Sequence, residues 1–193
     1  VLGEKELDGV LVVDRYNGYN KAKCRIQYCY AHLLRDVEDL RDEFADEAEV
    51  QTFTTTVIPL LSEAMHLHGK AHNDEQYYRT ARKTKQQIEQ AMKAEAQHLG
   101  IRHIQNLFVE KADRMYHWAK DRRVPADNNR AERELRPTVI ARKVSFGSQS
   151  EAGAKTREVL MSVMQTLKKR VNDPIREFKP ALDELALDAN LDL

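Results

Sequence analysis

The stretch Gly9-Val10-Leu11-Val12-Val13-Asp14-Arg15-Tyr16-Asn17-Gly18 decides how the fold is read. Four apolar residues, three of them β-branched, run uninterrupted between Asp8-Gly9 and a turn-rich segment. That is the pattern of a short strand buried on both faces. Such strands lie inside parallel sheets, and α/β folds place their ligands beyond the carboxyl ends of those strands. Asp14 stands at that position. The plain alternative is that aspartate followed by Tyr-Asn-Gly is ordinary turn chemistry, and taken alone the residues favour the turn.

Working outward, a second strand is expected over residues 25–30. The ten or so residues between the two are close to the minimum for a parallel crossover, so a hairpin competes with it. From His32 the period changes. Leu33, Leu34, Val37, Leu40, Arg41 and Phe44 fall at three- and four-residue spacings, predicting an amphipathic helix. Residues 50–123 carry no strand signal and read as three helices, the last two near 74–99 and 101–120, separated by Gly100. Tyr78, Ala81, Lys85, Ile88 and Met92 recur close to a heptad rhythm, the mark of a narrow seam packed on a neighbouring helix. Next come a helix over about 129–135, an irregular basic stretch to Ser150, and a periodic helix whose buried stripe is Val159, Leu160, Val163, Met164 and Leu167. Asn172-Asp173-Pro174 ends it. Beyond Val171, six acidic residues against two basic ones read as a solvated acidic tail.

A chain of 193 residues with 41% hydrophobic and 32% charged residues holds one sizeable domain, or a catalytic domain carrying an insertion. Lysine plus arginine equals aspartate plus glutamate at 31 each, so only local charge points to a partner. From Lys120 to Lys143 eight basic residues face four acidic ones. Cys24 and Cys29 build no disulfide framework and match no zinc spacing, which implies a reducing compartment. With no apolar run of membrane length and no signal peptide, a cytoplasmic protein without a membrane partner is expected. The start at Val1-Leu2-Gly3 suggests that a longer polypeptide has been cut.

The second informative stretch is Pro125-Ala126-Asp127-Asn128-Asn129-Arg130-Ala131-Glu132-Arg133. Asn129 and Glu132 have the spacing of a capping box, and capping alone explains that spacing. It does not explain why Arg130, Arg133, Arg136, Arg142 and Lys143 crowd a helix start whose positive end already disfavours cations. Phosphate binding does. Hydrolysis or transfer of phosphodiesters by two magnesium ions needs carboxylates converging from different elements, and Asp14 and Glu132 are the right ligand type. Arginines nearby hold the nucleic-acid backbone. His32 is a candidate to orient a carboxylate or touch substrate, with a structural role at least as good. His66, His68 and His72 complete no metal spacing and look like a helix end. Tyr16 and Tyr19 either stack on DNA or pack around the strand end.

The segments from Gly9 to Tyr19, Cys29-Tyr30-Ala31-His32, and Pro125 to Arg133 with the later Arg142-Lys143 and Gly147-Ser148 resemble the insertion sequence 66 family of DDE transposases, in matching order and separation. Tyr30 departs from the pattern, where tryptophan is more usual. The resemblance implies an α/β, ribonuclease H-like core of the integrase and transposase type, truncated, with a mostly helical insertion and helix-rich overall. On that reading residues 1–49 are the first part of the core, 50–123 the insertion, 124–171 the remainder carrying Glu132, and 172–193 the acidic tail. The resemblance further implies metal-dependent cleavage and transfer of DNA, with transposon ends and target as partners, a homo-oligomer in the active complex, and two Mg2+ or Mn2+ ions.

By the same resemblance Asp14 is the second acidic ligand, after the fourth strand, and Glu132 the third, on a late helix. Arg130, Arg133, Arg136, Arg142 and Lys143 fall to the nucleic acid. The first acidic residue belongs to a strand preceding residue 1. Asp8 is no substitute, since it lies at the opposite end of its strand from Asp14, about five residues at ~3.3 Å each. The fragment alone is therefore expected to be inactive. Two other readings stay open: a non-catalytic DNA-binding or assembly module, such as a degenerate transposase remnant, and a related two-metal nuclease.

Overall fold

A computed structural model of the chain describes residues 6–145 and 147–189. β1 (Val10–Val13) and β2 (Arg25–Tyr28) pair in parallel, with Val10 opposite Arg25 and Val13 opposite Tyr28. The crossover is therefore the correct reading and the hairpin is not. Residues 14–24 achieve it with one short 3-10 turn, Asn17–Lys21. β2 ends two residues earlier than the sequence suggests, because Tyr30 opens α1 (Tyr30–Glu43) and gives its N–H to the Ala126 carbonyl at 2.9 Å. β1 is not buried on both faces. Val13 is buried, but Val10, Leu11 and Val12 are only half-buried, since among the described residues the sheet has just these two strands.

The rest of the first compact unit, which runs to Arg130, is helical. α1 buries Leu33, Val37 and Leu40, the residues its period selects. α2 (Ala48–Leu67) buries Val50, Val57, Leu61, Ala64 and Leu67, and its buried Thr54 hydroxyl donates back to the Val50 carbonyl at 2.8 Å. α3 (Asp74–Lys93) starts at a full capping box, with Asn73 and Gln76 each accepting the other's backbone N–H. Its seam is Tyr77, Ala81, Thr84, Ile88 and Met92. Compared with the sequence reading, Tyr77 and Thr84 replace Tyr78 and Lys85 by a one-residue shift at two positions.

Gly100 does not separate two helices. It lies inside α4 (Leu99–Glu110), and the breaks fall on either side, at residues 94–98 and 111–116. Polar contacts fix the earlier break: the Glu49 carboxylate accepts the N–H groups of Gln97 and His98 at 2.7 and 2.9 Å, and His98 Nδ1 accepts the Gly100 N–H at 3.2 Å. Gly100 serves close packing instead, because a Cβ there would come within 2.5 Å of Leu40 Cδ1. After α4 the chain forms a 3-10 turn, Ala112–Arg114, and a short helix, α5 (His117–Lys120), so this region holds four α-helices rather than three.

A buried polar knot joins sheet and helices. The Met115 carbonyl accepts from Gln27 Nε2 at 3.1 Å, Tyr30 Oη at 2.8 Å and Trp118 Nε1 at 3.0 Å. Gln27 Oε1 accepts the His117 N–H at 2.8 Å, and Tyr77 Oη donates to the Trp118 carbonyl at 2.8 Å. Gln27, Tyr30 and Trp118 are fully buried, so every one of these groups requires a partner. Residues 115–118 are thereby fixed against β2, α1 and α3, and the chain is delivered back toward the end of the strand pair.

The second compact unit, from Ala131, is described by itself. α6 (Asn129–Val144) opens just before it and continues through Pro137, so the stretch from Arg136 to Val144, expected to be irregular, is helical. Proline removes one backbone donor but does not by itself end a helix whose other positions favour it. α7 (Glu151–Arg170) has the predicted period without the predicted burial: Val159, Leu160 and Val163 are 51%, 47% and 39% exposed. A stripe at helical spacing shows that a surface is apolar, not that something covers it. The acidic stretch after Val171 contains α8 (Pro174–Ala189), with proline at the first helical position.

Candidate active site

Three segments meet at the carboxyl end of the strand pair. The Val13 carbonyl, last of β1, accepts the Cys29 N–H at 2.8 Å. Tyr30 then donates to Ala126, and Asn128 directs its own N–H at the Cys29 sulfur at 3.4 Å. The Pro125–Asn129 run is thus hydrogen-bonded to the turn that follows β2, beside the strand whose next residue is Asp14. Ala126 is wholly buried and Cys29 nearly so, and burial pushes the Cys29 thiol up, away from the reactive thiolate. Cys29 is a packing residue here. Sequence reading places Cys29 in the Cys29-Tyr30-Ala31-His32 run without a role of its own and passes over Gln27, because the importance of both comes from what the fold places against them.

Asp14 is half-buried, and its Oδ1 accepts the Tyr16 N–H at 3.1 Å. The turn chemistry that competes with a site is real. It occupies one acceptor position of a group that has about four. The next residue, Arg15, pairs with Asp36 on α1, so the cation beside Asp14 is directed away to a partner of its own. Tyr16 is 70% exposed and meets the half-buried Tyr19 edge to face, ring centres 6.0 Å apart. Any side chain at Gly18 would strike the Tyr16 ring, at 2.3 Å from Cε1.

α6 begins at Asn129, and Asp127 Oδ1 accepts the Asn129 N–H at 3.0 Å. The entry turn is therefore made by Asp127, ahead of the position that the capping box assigns to Asn129. Glu132 lies in the first turn of α6 and is exposed. Arg130, Arg133, Arg136, Arg142 and Lys143 are all on α6, five cations along one helix. Asn128 Oδ1 is buried without a hydrogen-bond donor. His32 is in the first turn of α1, half-buried.

Of the three histidines of the sequence's other candidate cluster, His66, His68 and His72, only His68 makes a side-chain contact among the described residues. His66 and His68 lie at the end of α2, and His68 Nδ1 meets the Arg122 carbonyl at 2.8 Å. Asp14 and Glu132 supply the hard oxygen donors a magnesium or manganese ion prefers. Among the described residues, however, no three histidine, cysteine, aspartate or glutamate side chains come together in a way that could hold a metal. The donors fit in type and fall short in number. Also among the described residues, no helix is long and apolar enough to cross a membrane.

Comparison with known proteins agrees with the motif reading. Uncharacterized protein y4qI of Sinorhizobium fredii is 25% identical over an alignment of 201 residues, which covers 92% of this chain and 36% of that protein. The chain spans about a third of the length of the curated relative it matches. No solved structure matches. The family model described as "Transposase IS66 family" matches residues 1–156, a span that takes in both the Asp14 strand and the Glu132 helix, and the chain belongs to that family.

Proposed function

We propose that this chain acts on DNA in transposition, as part of a DDE-type catalytic domain with a ribonuclease H-like core in which Asp14 and Glu132 are catalytic carboxylates. The observation that carries the reading is the hydrogen-bonded junction at the end of the parallel strand pair, where Ala126 and Asn128, in the segment leading into α6, bond to Tyr30 and Cys29, and Cys29 bonds to Val13, the residue before Asp14. Family membership supports a transposase, and the parallel crossover supports an α/β core. Magnesium or manganese, held by Asp14, Glu132 and a further carboxylate, would activate the attacking oxygen and stabilise the leaving one. The chain's own contribution is to hold Asp14 at a fixed strand end and to present Arg130, Arg133, Arg136, Arg142 and Lys143 to phosphates.

Asp14→Asn and Glu132→Gln in the full-length protein are expected to abolish cleavage of DNA carrying the transposon ends. The Asp14→Asn variant retains a side-chain oxygen for the Tyr16 N–H, so the turn survives, and the melting temperature is expected to move by no more than about 2 °C. Retained cleavage sinks the assignment. Loss of cleavage accompanied by a large fall in melting temperature would assign the carboxylates to folding instead.

One observation favours a second reading, a DNA-binding or assembly module without catalysis: the five cations of α6 can hold phosphates without any metal. Calorimetric titration with Mn2+ separates the two. Paired binding sites that disappear in Asp14→Asn support the enzyme, and DNA binding indifferent to Mn2+ and to Asp14→Asn supports the module.

A further inference from the structure

The turn between α6 and α7 borders an open notch of about 950 Å³ that lies wholly within the second unit. Its lining includes Arg142 and Lys143 from α6, Ser148 from the turn, and Arg157 and Glu158 from α7. Two contacts hold the helices around it. Lys169 Nζ meets Glu134 Oε2 at 3.1 Å at the far end, and Arg157 Nη2 donates to Ser145 Oγ at 2.7 Å at the turn. Gly147, at a φ of 86°, makes the reversal in a conformation that other residues rarely adopt.

Arg157 is the residue that no sequence motif singles out. It stands 14 positions beyond Lys143, outside the arginine-rich run, and only the α6–α7 reversal brings it to the same cavity. Its Nη2 is occupied by Ser145, while Nη1 is buried and has no hydrogen-bond partner. A guanidinium with one arm fixed by a neutral hydroxyl and the other unmatched keeps N–H groups to give to an anionic acceptor. Three cations line the cavity against one carboxylate, and Glu158 already pairs with Lys155 at 3.0 Å.

The geometry points to this notch as a phosphate site for the DNA backbone, with Arg157 as its central donor and Arg142 and Lys143 beside it. The assignment rests on the DNA-acting reading above and extends it to a residue and a place. Because Arg157 is held by Ser145 rather than free in solvent, it loses less side-chain entropy on meeting a phosphate than the exposed arginines of α6 do.

The test is fluorescence anisotropy with a labelled duplex across a salt series, using the 193-residue chain. Arg157→Ala is expected to weaken binding by about tenfold and to lower the slope of log affinity against log salt by about one. Arg157→Lys, which keeps the charge, should retain the slope. Glu158→Gln, which removes the opposing carboxylate, should tighten binding by about two- to threefold. Wild-type affinity and slope in Arg157→Ala overturn the proposal. Should Arg157→Ala fail to fold, Glu158→Gln decides, because tighter binding supports the notch and unchanged binding refutes it. Weakened binding in Arg130→Ala and Arg133→Ala with a normal Arg157→Ala removes the notch and leaves the DNA-acting reading standing. No duplex binding by the wild type removes both. A rise in melting temperature with inorganic phosphate, lost in Arg157→Ala in a chain that binds no duplex, would assign the cavity to free phosphate and overturn the DNA assignment.

Discussion

Gln27 shows how much one side chain can settle. It is wholly buried on β2, and its amide spends both ends on backbone groups: Nε2 on the Tyr28 and Met115 carbonyls, and Oε1 on the His117 and Trp118 N–H groups, the last at 3.4 Å. A buried amide with these bonds is stabilising mainly because of what its removal would leave behind, unpaired N–H groups in a dry core. Gln27→Ala is therefore expected to lower the unfolding free energy by about 3 kcal/mol, read from the urea midpoint at unchanged slope. The residue also illustrates where sequence reading stops. A glutamine inside a strand carries no motif, and its partners across the core lie about ninety positions away. Asp14 is the opposite case. Its position after an apolar run makes it a candidate from local order alone, and the Tyr16 N–H bond shows the turn while leaving the carboxylate further acceptor positions.

At the scale of the element, periodicity predicts helices well and their ends poorly. The α3 capping box illustrates what fixes a start: Asn73 and Gln76 satisfy each other's backbone donors, and Asn73→Ala is expected to cost about 1 kcal/mol, measured by chemical denaturation. Gly100 is the wrong boundary because the residue that fixes the break is Glu49, from α2, accepting two N–H groups some 48 positions further on. No local rule contains that contact. The sequence reading also makes α6 too short, ending it near residue 135, whereas Pro137 is carried inside the helix. Pro137→Ala is expected to raise the stability of the second unit by about 1–3 kcal/mol, because alanine restores a helical N–H and carries no ring to clash with the preceding turn. An unchanged urea midpoint for that unit would show that the helix already accommodates the ring at no cost.

For the whole molecule, the two units differ in kind. The first buries a continuous core around Tyr30, Tyr77, Phe108 and Trp118, while α6 and α7 of the second carry no buried residue. The core of the first unit holds several phenols. Burial holds the Tyr30 hydroxyl well above its ordinary range, lifts Tyr77 to about 12 and raises Tyr116 as well. The unfolded chain releases these protons near pH 10 and the folded chain keeps them, so above about pH 10 the folded state binds more protons and stability falls as pH rises. Their contribution is fully present below that pH. For Tyr77 it is lost as pH climbs through about 12. The unfolding free energy read from urea titrations is expected to be flat up to about pH 9.5 and then to drop by up to about 1.4 kcal/mol per pH unit for each phenol. Tyr77→Phe should reduce that slope. A flat profile through about pH 11 would mean that these hydroxyls reach water.

The sequence by itself determined the strand that leads into Asp14, the helical character of residues 50–123 and of α7, the start of the Glu132 helix and the family, because each is written in local order and spacing. Tertiary structure decided the parallel pairing of β1 and β2, the anchoring of Ala126 and Asn128 at Tyr30 and Cys29, the burial of Gln27, and the arrival of Arg157 beside Arg142 and Lys143. It also decided that the stripe of α7 is exposed. The physical reason is the same in each instance. Period and propensity act over one or two turns of chain, whereas burial and hydrogen-bond satisfaction depend on groups that sequence order keeps far apart and only packing brings together.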